Sequence, residues 1–129
     1  MKRFRQNTGA KIHAYIDGLC ASAATYLAMV ADDINIYKNS VLMIHKPMTC
    51  TCGNANDLQH DIDTLNLIES GTMLPMYEAK AKEGITAEKI AELVDNETWF
   101  SGNADDDMYI GNYFNVNALE TVKDVHACA

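Results

Sequence analysis

The chain has 129 residues, a length that fits one domain. Apolar residues make up 48 %, enough to bury a core, and the net charge is −8 with a pI near 4.7. That balance argues against a nucleic-acid partner held through a broad basic face, and no stretch approaches the ~20 apolar residues of a membrane span.

The opening Met1-Lys-Arg-Phe-Arg is basic, but the polar run to Lys11 follows it where a secretory signal needs an apolar one. Without that signal the four cysteines, Cys20, Cys50, Cys52 and Cys128, are expected to be free thiols of a cytoplasmic protein. Cys50 and Cys52 stand one residue apart, too close for an unstrained mutual bond and unlike a paired zinc ligand, so no metal site is expected.

Residues 11–16 alternate and predict a strand, closed by the turn pair Asp17-Gly18. Residues 20–31 are small and apolar without alternation and predict a buried helix opening near Ser22. Residues 34–37 form a short predicted strand. Residues 41–44 are a continuous apolar run, expected of a strand covered on both faces and stopped by Pro47. After a loop, Leu58, Ile62, Leu65, Ile68, Met73, Met76 and Tyr77 recur at helical spacing, predicting a long amphipathic helix over about 56–82 that Gly71 and Pro75 can bend. Gly84 ends it, and Thr86 caps a shorter helix that buries Ile90, Leu93 and Val94. Residues 96–100 read as a short extended segment and 103–109 as a last helical turn or two. The tail from 111 is weakly patterned. The order predicts an α/β layered domain. Three or so strands are few for so much helix, which hints at strands missing or borrowed from a neighbour.

Ser22 follows a strand and a glycine turn and opens an apolar helix. Unpaired first-turn amides and the positive helix end favour developing negative charge there, and the Ala23 amide is placed to donate to an oxyanion. The commoner role of such a serine is simply to cap the helix. His45 ends the apolar strand, where an imidazole can act as general base, although most histidines at such places only bond a carbonyl. His13, His60 and His126 carry no such signal. A carboxylate should orient the base, and Asp95 and Glu97 are the candidates; Trp99 beside them reads as core.

Two strings are more specific. Gly18-Leu-Cys-Ala-Ser22-Ala-Ala resembles the nucleophile turn of the Clp-type (caseinolytic) serine peptidases, and Asn39-Ser-Val-Leu-Met-Ile-His45-Lys-Pro47 is similar to that family's histidine-bearing strand. Gly53-Asn-Ala-Asn-Asp57 resembles the start of its long "handle" helix, and Glu97-Thr-Trp-Phe-Ser101 its acid-bearing segment. The wording is nearest to the phage-encoded, prohead-protease-like branch, over about residues 10–107 of a single domain spanning 1–129. The resemblance implies a Clp-protease/crotonase-like ββα spiral and a cofactor-free serine endopeptidase. In it Ser22 is the nucleophile, His45 the base, Glu97 the acid with Asp95 as runner-up, and the Ala23 amide an oxyanion donor.

Assembly into homo-oligomeric rings, stacked through the handle helix by Leu65, Ile68 and their neighbours, is implied too. An AAA+ unfoldase or phage head proteins are the implied partners. The family's first third, with a Gly-Gly turn that completes the oxyanion hole, has no counterpart here; Met1 to Gln6 resembles the end of the helix that follows that turn. The segments Asp105-Asp-Asp107 and Tyr109-Ile-Gly-Asn-Tyr-Phe114 also blur the family's closing pattern. A truncated chain of this kind allows a second reading, a catalytically impaired assembly unit. An acyl-CoA-binding relative of the crotonase type is a third, for which the required oxyanion glycines are not found.

Overall fold

The computed structural model describes residues 2–120. His126, Cys128 and the end of the tail lie outside the described residues.

A first helix, α1 (Lys2–Thr8), leads to β1 (His13–Ile16), β2 (Leu19–Ala21) and α2 (Ala23–Met29). Then come β3 (Asp33–Tyr37), β4 (Val41–Ile44) and α3 (Ala55–Ile68). A π-helical turn (Glu69–Met73) joins α3 to α4 (Leu74–Glu78). The chain continues through α5 (Ala87–Asp95), β5 (Thr98–Ser101), a 3-10 turn (Ile110–Asn112) and β6 (Asn117–Leu119). The six strands form two three-stranded sheets, ordered β1-β3-β6 and β2-β4-β5. This is a mixed α/β architecture.

Two consecutive units have the same plan. β1-β2-α2 and β3-β4-α3 each send their first strand to one sheet and their second to the other. The equivalent strands lie side by side in parallel, His13 beside Asp33 and Leu19 beside Val41. The switch between sheets needs a sharp bend. At Gly18 the backbone takes φ +99°, a region open to glycine at little cost. The second switch, at residues 38–40, is locked to the first by Ser40, which is 1 % exposed. Its hydroxyl donates to the Ile16 carbonyl at 2.9 Å and accepts from the Gly18 amide at 3.0 Å.

The core lies between the sheets and the helices α2, α4 and α5. Ile34, Ile36, Leu42, Ile44, Tyr77, Ile90, Val94, Phe100, Ile110 and Phe114 are among its most deeply buried apolar side chains. On α5 the expected positions Ile90, Leu93 and Val94 are buried, and the Thr86 side chain caps the helix by accepting from the Lys89 amide. Gly84, at φ +92°, separates α5 from the preceding helix.

Several expectations are corrected. Among the described residues there are six strands, against the three or so expected; the extended segment expected at 96–100 is β5. β2 occupies the start of what reads as helix, and β6 lies in the weakly patterned tail; at three residues each, neither carries a period. β4 alternates buried Leu42 and Ile44 with exposed Val41 and half-buried Met43, so only one face is fully covered. The long helix runs without interruption through α3, the π turn and α4, and ends at Glu78 rather than near 82. Pro75 has no amide to donate, and the wider π turn immediately before it absorbs that missing bond. Trp99 is exposed rather than core: on β5, Thr98 and Phe100 face inward and Trp99 faces out.

Candidate active site

β2 and β4 are parallel neighbours, with Ala21 opposite Met43. The Ser22 amide donates to the Met43 carbonyl at 3.1 Å, extending that pairing by one step. Both segments leave the sheet at the carboxyl ends of their strands, where parallel sheets commonly place their ligand sites. Ser22 emerges from one strand and His45 from the next. The His45 Nε2 lies 2.9 Å from the Ser22 Oγ, a hydrogen-bond distance.

The backbone at Ser22 explains how this short reach arises. Ser22 sits at φ 56°, ψ −121°, between β2 and α2. A left-handed φ at a non-glycine residue costs on the order of 1–3 kcal/mol. Such strand-to-helix turns expose a nucleophile above the sheet. Ser22 precedes α2 as its N-cap, yet its side chain makes no capping hydrogen bond. The hydroxyl is turned to the imidazole instead. Ala23 and Ala24, exposed at the start of α2, leave open space beside it.

For the imidazole to accept the serine proton at Nε2, its own proton must sit on Nδ1. The two candidate orienting carboxylates are placed differently. Asp95, the last residue of α5, pairs with Lys46, its Oδ1 2.9 Å from Nζ, while Glu69 stands 3.8 Å from the same ammonium. These acids, Asp95 first, raise the Lys46 pKa and keep it charged. Glu97 occupies the turn before β5 at φ 49°. β5 runs antiparallel to β4 with Thr98 opposite Ile44 as the last pair, so His45 and Glu97 each adjoin the same end of the pairing, outside it. Among the described residues, no hydrogen bond joins His45 to either carboxylate.

The other residues singled out in the sequence lie elsewhere. His13 pairs with Asp33 across β1 and β3 at 2.6 Å, and that bond is the main cause of a lowered Asp33 pKa. His60 is exposed on α3. Cys20, Cys50 and Cys52 are free thiols, Cys20 buried and the other two exposed. Burial raises the Cys20 pKa, which makes it a poorer nucleophile. Among the described residues, no cluster of His, Cys, Asp and Glu is arranged to hold a metal, and no helix is long and apolar enough to cross a membrane.

Sequence reasoning missed two features of this site. One is the strained Ser22 backbone, which no residue type announces. The other is Thr25, whose hydroxyl lies 2.5 Å from the Ser22 carbonyl and 2.6 Å from the Tyr77 phenol.

No curated protein matches the chain. The family model described as Clp protease matches residues 5–111, a span that contains the Ser22 turn, the His45 strand and both candidate carboxylates. The chain belongs to the Clp protease family, a family of serine peptidases.

Proposed function

We propose that the protein is a serine endopeptidase that cleaves peptide bonds with Ser22 as nucleophile and His45 as general base. The observation that carries this reading is the 2.9 Å approach of Ser22 Oγ to His45 Nε2 at a serine that does not cap its helix. Ser22 Oγ attacks the substrate carbonyl carbon while its proton passes to His45 Nε2. The carbonyl π electrons move to oxygen, and the Ala23 amide at the start of α2 donates to that oxyanion. Collapse of the tetrahedral intermediate breaks the C–N bond, and His45 returns its proton to the leaving amine. Water, deprotonated by the same imidazole, then releases the acyl group and restores the serine.

Glu97 is the proposed orienting acid. Its support is the β4–β5 pairing, whose last pair, Ile44 opposite Thr98, adjoins His45 on one strand and Glu97 on the other; Asp95, the runner-up, is engaged by Lys46. The ββα repeat supports assignment to the Clp-protease/crotonase-like spiral. Within that reading the chain works as a homo-oligomeric ring of the phage prohead-protease-like kind, with α3 between rings and unfolded protein as substrate. A cytoplasmic location, with an AAA+ unfoldase or phage head proteins as partners, goes with it.

Turnover of an unstructured, internally quenched peptide tests the chemistry. Ser22→Ala should abolish cleavage by the purified chain. Equal turnover by wild type and Ser22→Ala, or no turnover by either, would favour the catalytically impaired assembly unit.

A further inference from the structure

The Ser22 turn has a second side, facing the core. Thr25 is 0 % exposed, and its Oγ1 touches two oxygens, the Ser22 carbonyl at 2.5 Å and the Tyr77 hydroxyl at 2.6 Å. A carbonyl can only accept, so the Thr25 hydroxyl donates to Ser22. The Thr25 oxygen then accepts from the Tyr77 phenol. The Thr25 amide donates to the same carbonyl at 3.0 Å. With the Ser22 amide bound to Met43, both backbone groups of the strained residue are committed.

Tyr77 sits on α4, 52 residues further along the chain, and is 1 % exposed. Its ring packs between Tyr26 and Phe114, with centroids 6.1 and 6.2 Å away. Phenylalanine would fill that space as well, and valine the space of Thr25. Buried hydroxyls cost free energy unless they are bonded, so packing alone does not account for two of them here. Burial pushes the Tyr77 phenol well above its ordinary range, which keeps it a donor.

We propose that Thr25 and Tyr77 are positioning residues: the relay from the Tyr77 phenol through the Thr25 hydroxyl to the Ser22 carbonyl holds the turn in its strained conformation and so aims the Ser22 hydroxyl at His45. The catalytic consequence rests on the proposed function; the structural one does not. The relay also ties the nucleophile to α4, so a displacement of that helix is transmitted to the turn.

Three variants of the full chain, Thr25→Val, Thr25→Ser and Tyr77→Phe, test it by two readouts. These are the rate at which a fluorophosphonate labels Ser22 and the crystallographic conformation of residue 22. A lost hydrogen bond that acts through geometry should slow labelling by about tenfold in Thr25→Val and by about threefold in Tyr77→Phe, with Thr25→Ser close to wild type. In the Thr25→Val structure, Ser22 should leave its positive φ and its hydroxyl should withdraw from His45. Wild-type labelling with an unmoved turn in Thr25→Val would overturn the proposal. So would a Thr25→Ser as slow as Thr25→Val, because the methyl packing would then be the cause. If Thr25→Val does not fold, Tyr77→Phe preserves volume and decides by the same two readouts. A wild-type protein that is never labelled sinks the proposed function, while the conformation of residue 22 in the variants still decides this proposal.

Discussion

At the scale of single residues, the division of labour between the two carboxylates is open to a direct comparison. Glu97 and His45 adjoin the same end of the β4–β5 pairing, and Asp95 is bound by Lys46. Glu97→Gln should lower kcat by at least about a hundredfold, since an orienting carboxylate in such triads is worth up to ~10⁴. Asp95→Asn should change kcat by less than about threefold, in line with a solvent-exposed ion pair. The reverse order would transfer the orienting role to Asp95. The thiols separate in the same way. Iodoacetamide at pH 8 should modify Cys50 and Cys52 well before Cys20, because burial raises the Cys20 pKa and blocks access. Peptide-level mass spectrometry reads this order.

Ser22 and His45 were legible in the chain because each lies within a short local string, and because parallel strands with matched register carry both strings to the same sheet end. The backbone conformation of Ser22 was not legible. Nothing in Ala21-Ser22-Ala23 records a positive φ, which is imposed by the Met43 carbonyl on one side and by Thr25 on the other. Tyr77 was visible only as one apolar position of a helix, since its partner lies 52 residues away.

At the scale of elements, the contrast is between segments long enough to carry a period and those that are not. α5 has a cap and a buried stripe, with a glycine that separates it from the helix before, and those signals make its position legible. β2 and β6 have three residues each and are defined only by their neighbours β4 and β3. The sheet switch at Ser40 belongs to the same class. It depends on Gly102, whose amide donates to the Ser40 carbonyl at 2.8 Å. A Cβ at Gly102 would stand 2.2 Å from the Tyr37 carbonyl oxygen, a backbone atom that cannot swing aside. Gly102→Ala should therefore destabilise the fold by about 1–3 kcal/mol, the usual cost of overpacking a core position. Urea denaturation measures it, and an unchanged midpoint would show that β5 can shift without loss.

At the scale of the whole molecule, α3 stands apart. It is a capped helix of 14 residues, with a capping box at Asn54 and Asp57, yet it buries none of its own residues. Ile62 is 50 % exposed and Leu67 70 %. Apolar positions of this size, left uncovered along one helix, fit the proposed role of α3 between rings. Ile62→Lys with Leu67→Lys should leave the melting temperature of the isolated chain within about 2 °C, since surface substitutions mostly stay within ±0.5 kcal/mol. The same pair should lower the mass seen by sedimentation. An unchanged mass would remove α3 from the assembly.

The serine–histidine pair joins all three scales: a strained residue, two parallel strands and a ββα repeat converge on one hydrogen bond. The measurement that tests it most directly is the location of a fluorophosphonate adduct by peptide mass spectrometry. A single adduct on Ser22 that disappears in a folded His45→Ala variant is the predicted result. An adduct that forms equally without the imidazole, or that lands on another side chain, would contradict the assignment of Ser22 and His45 as a working pair.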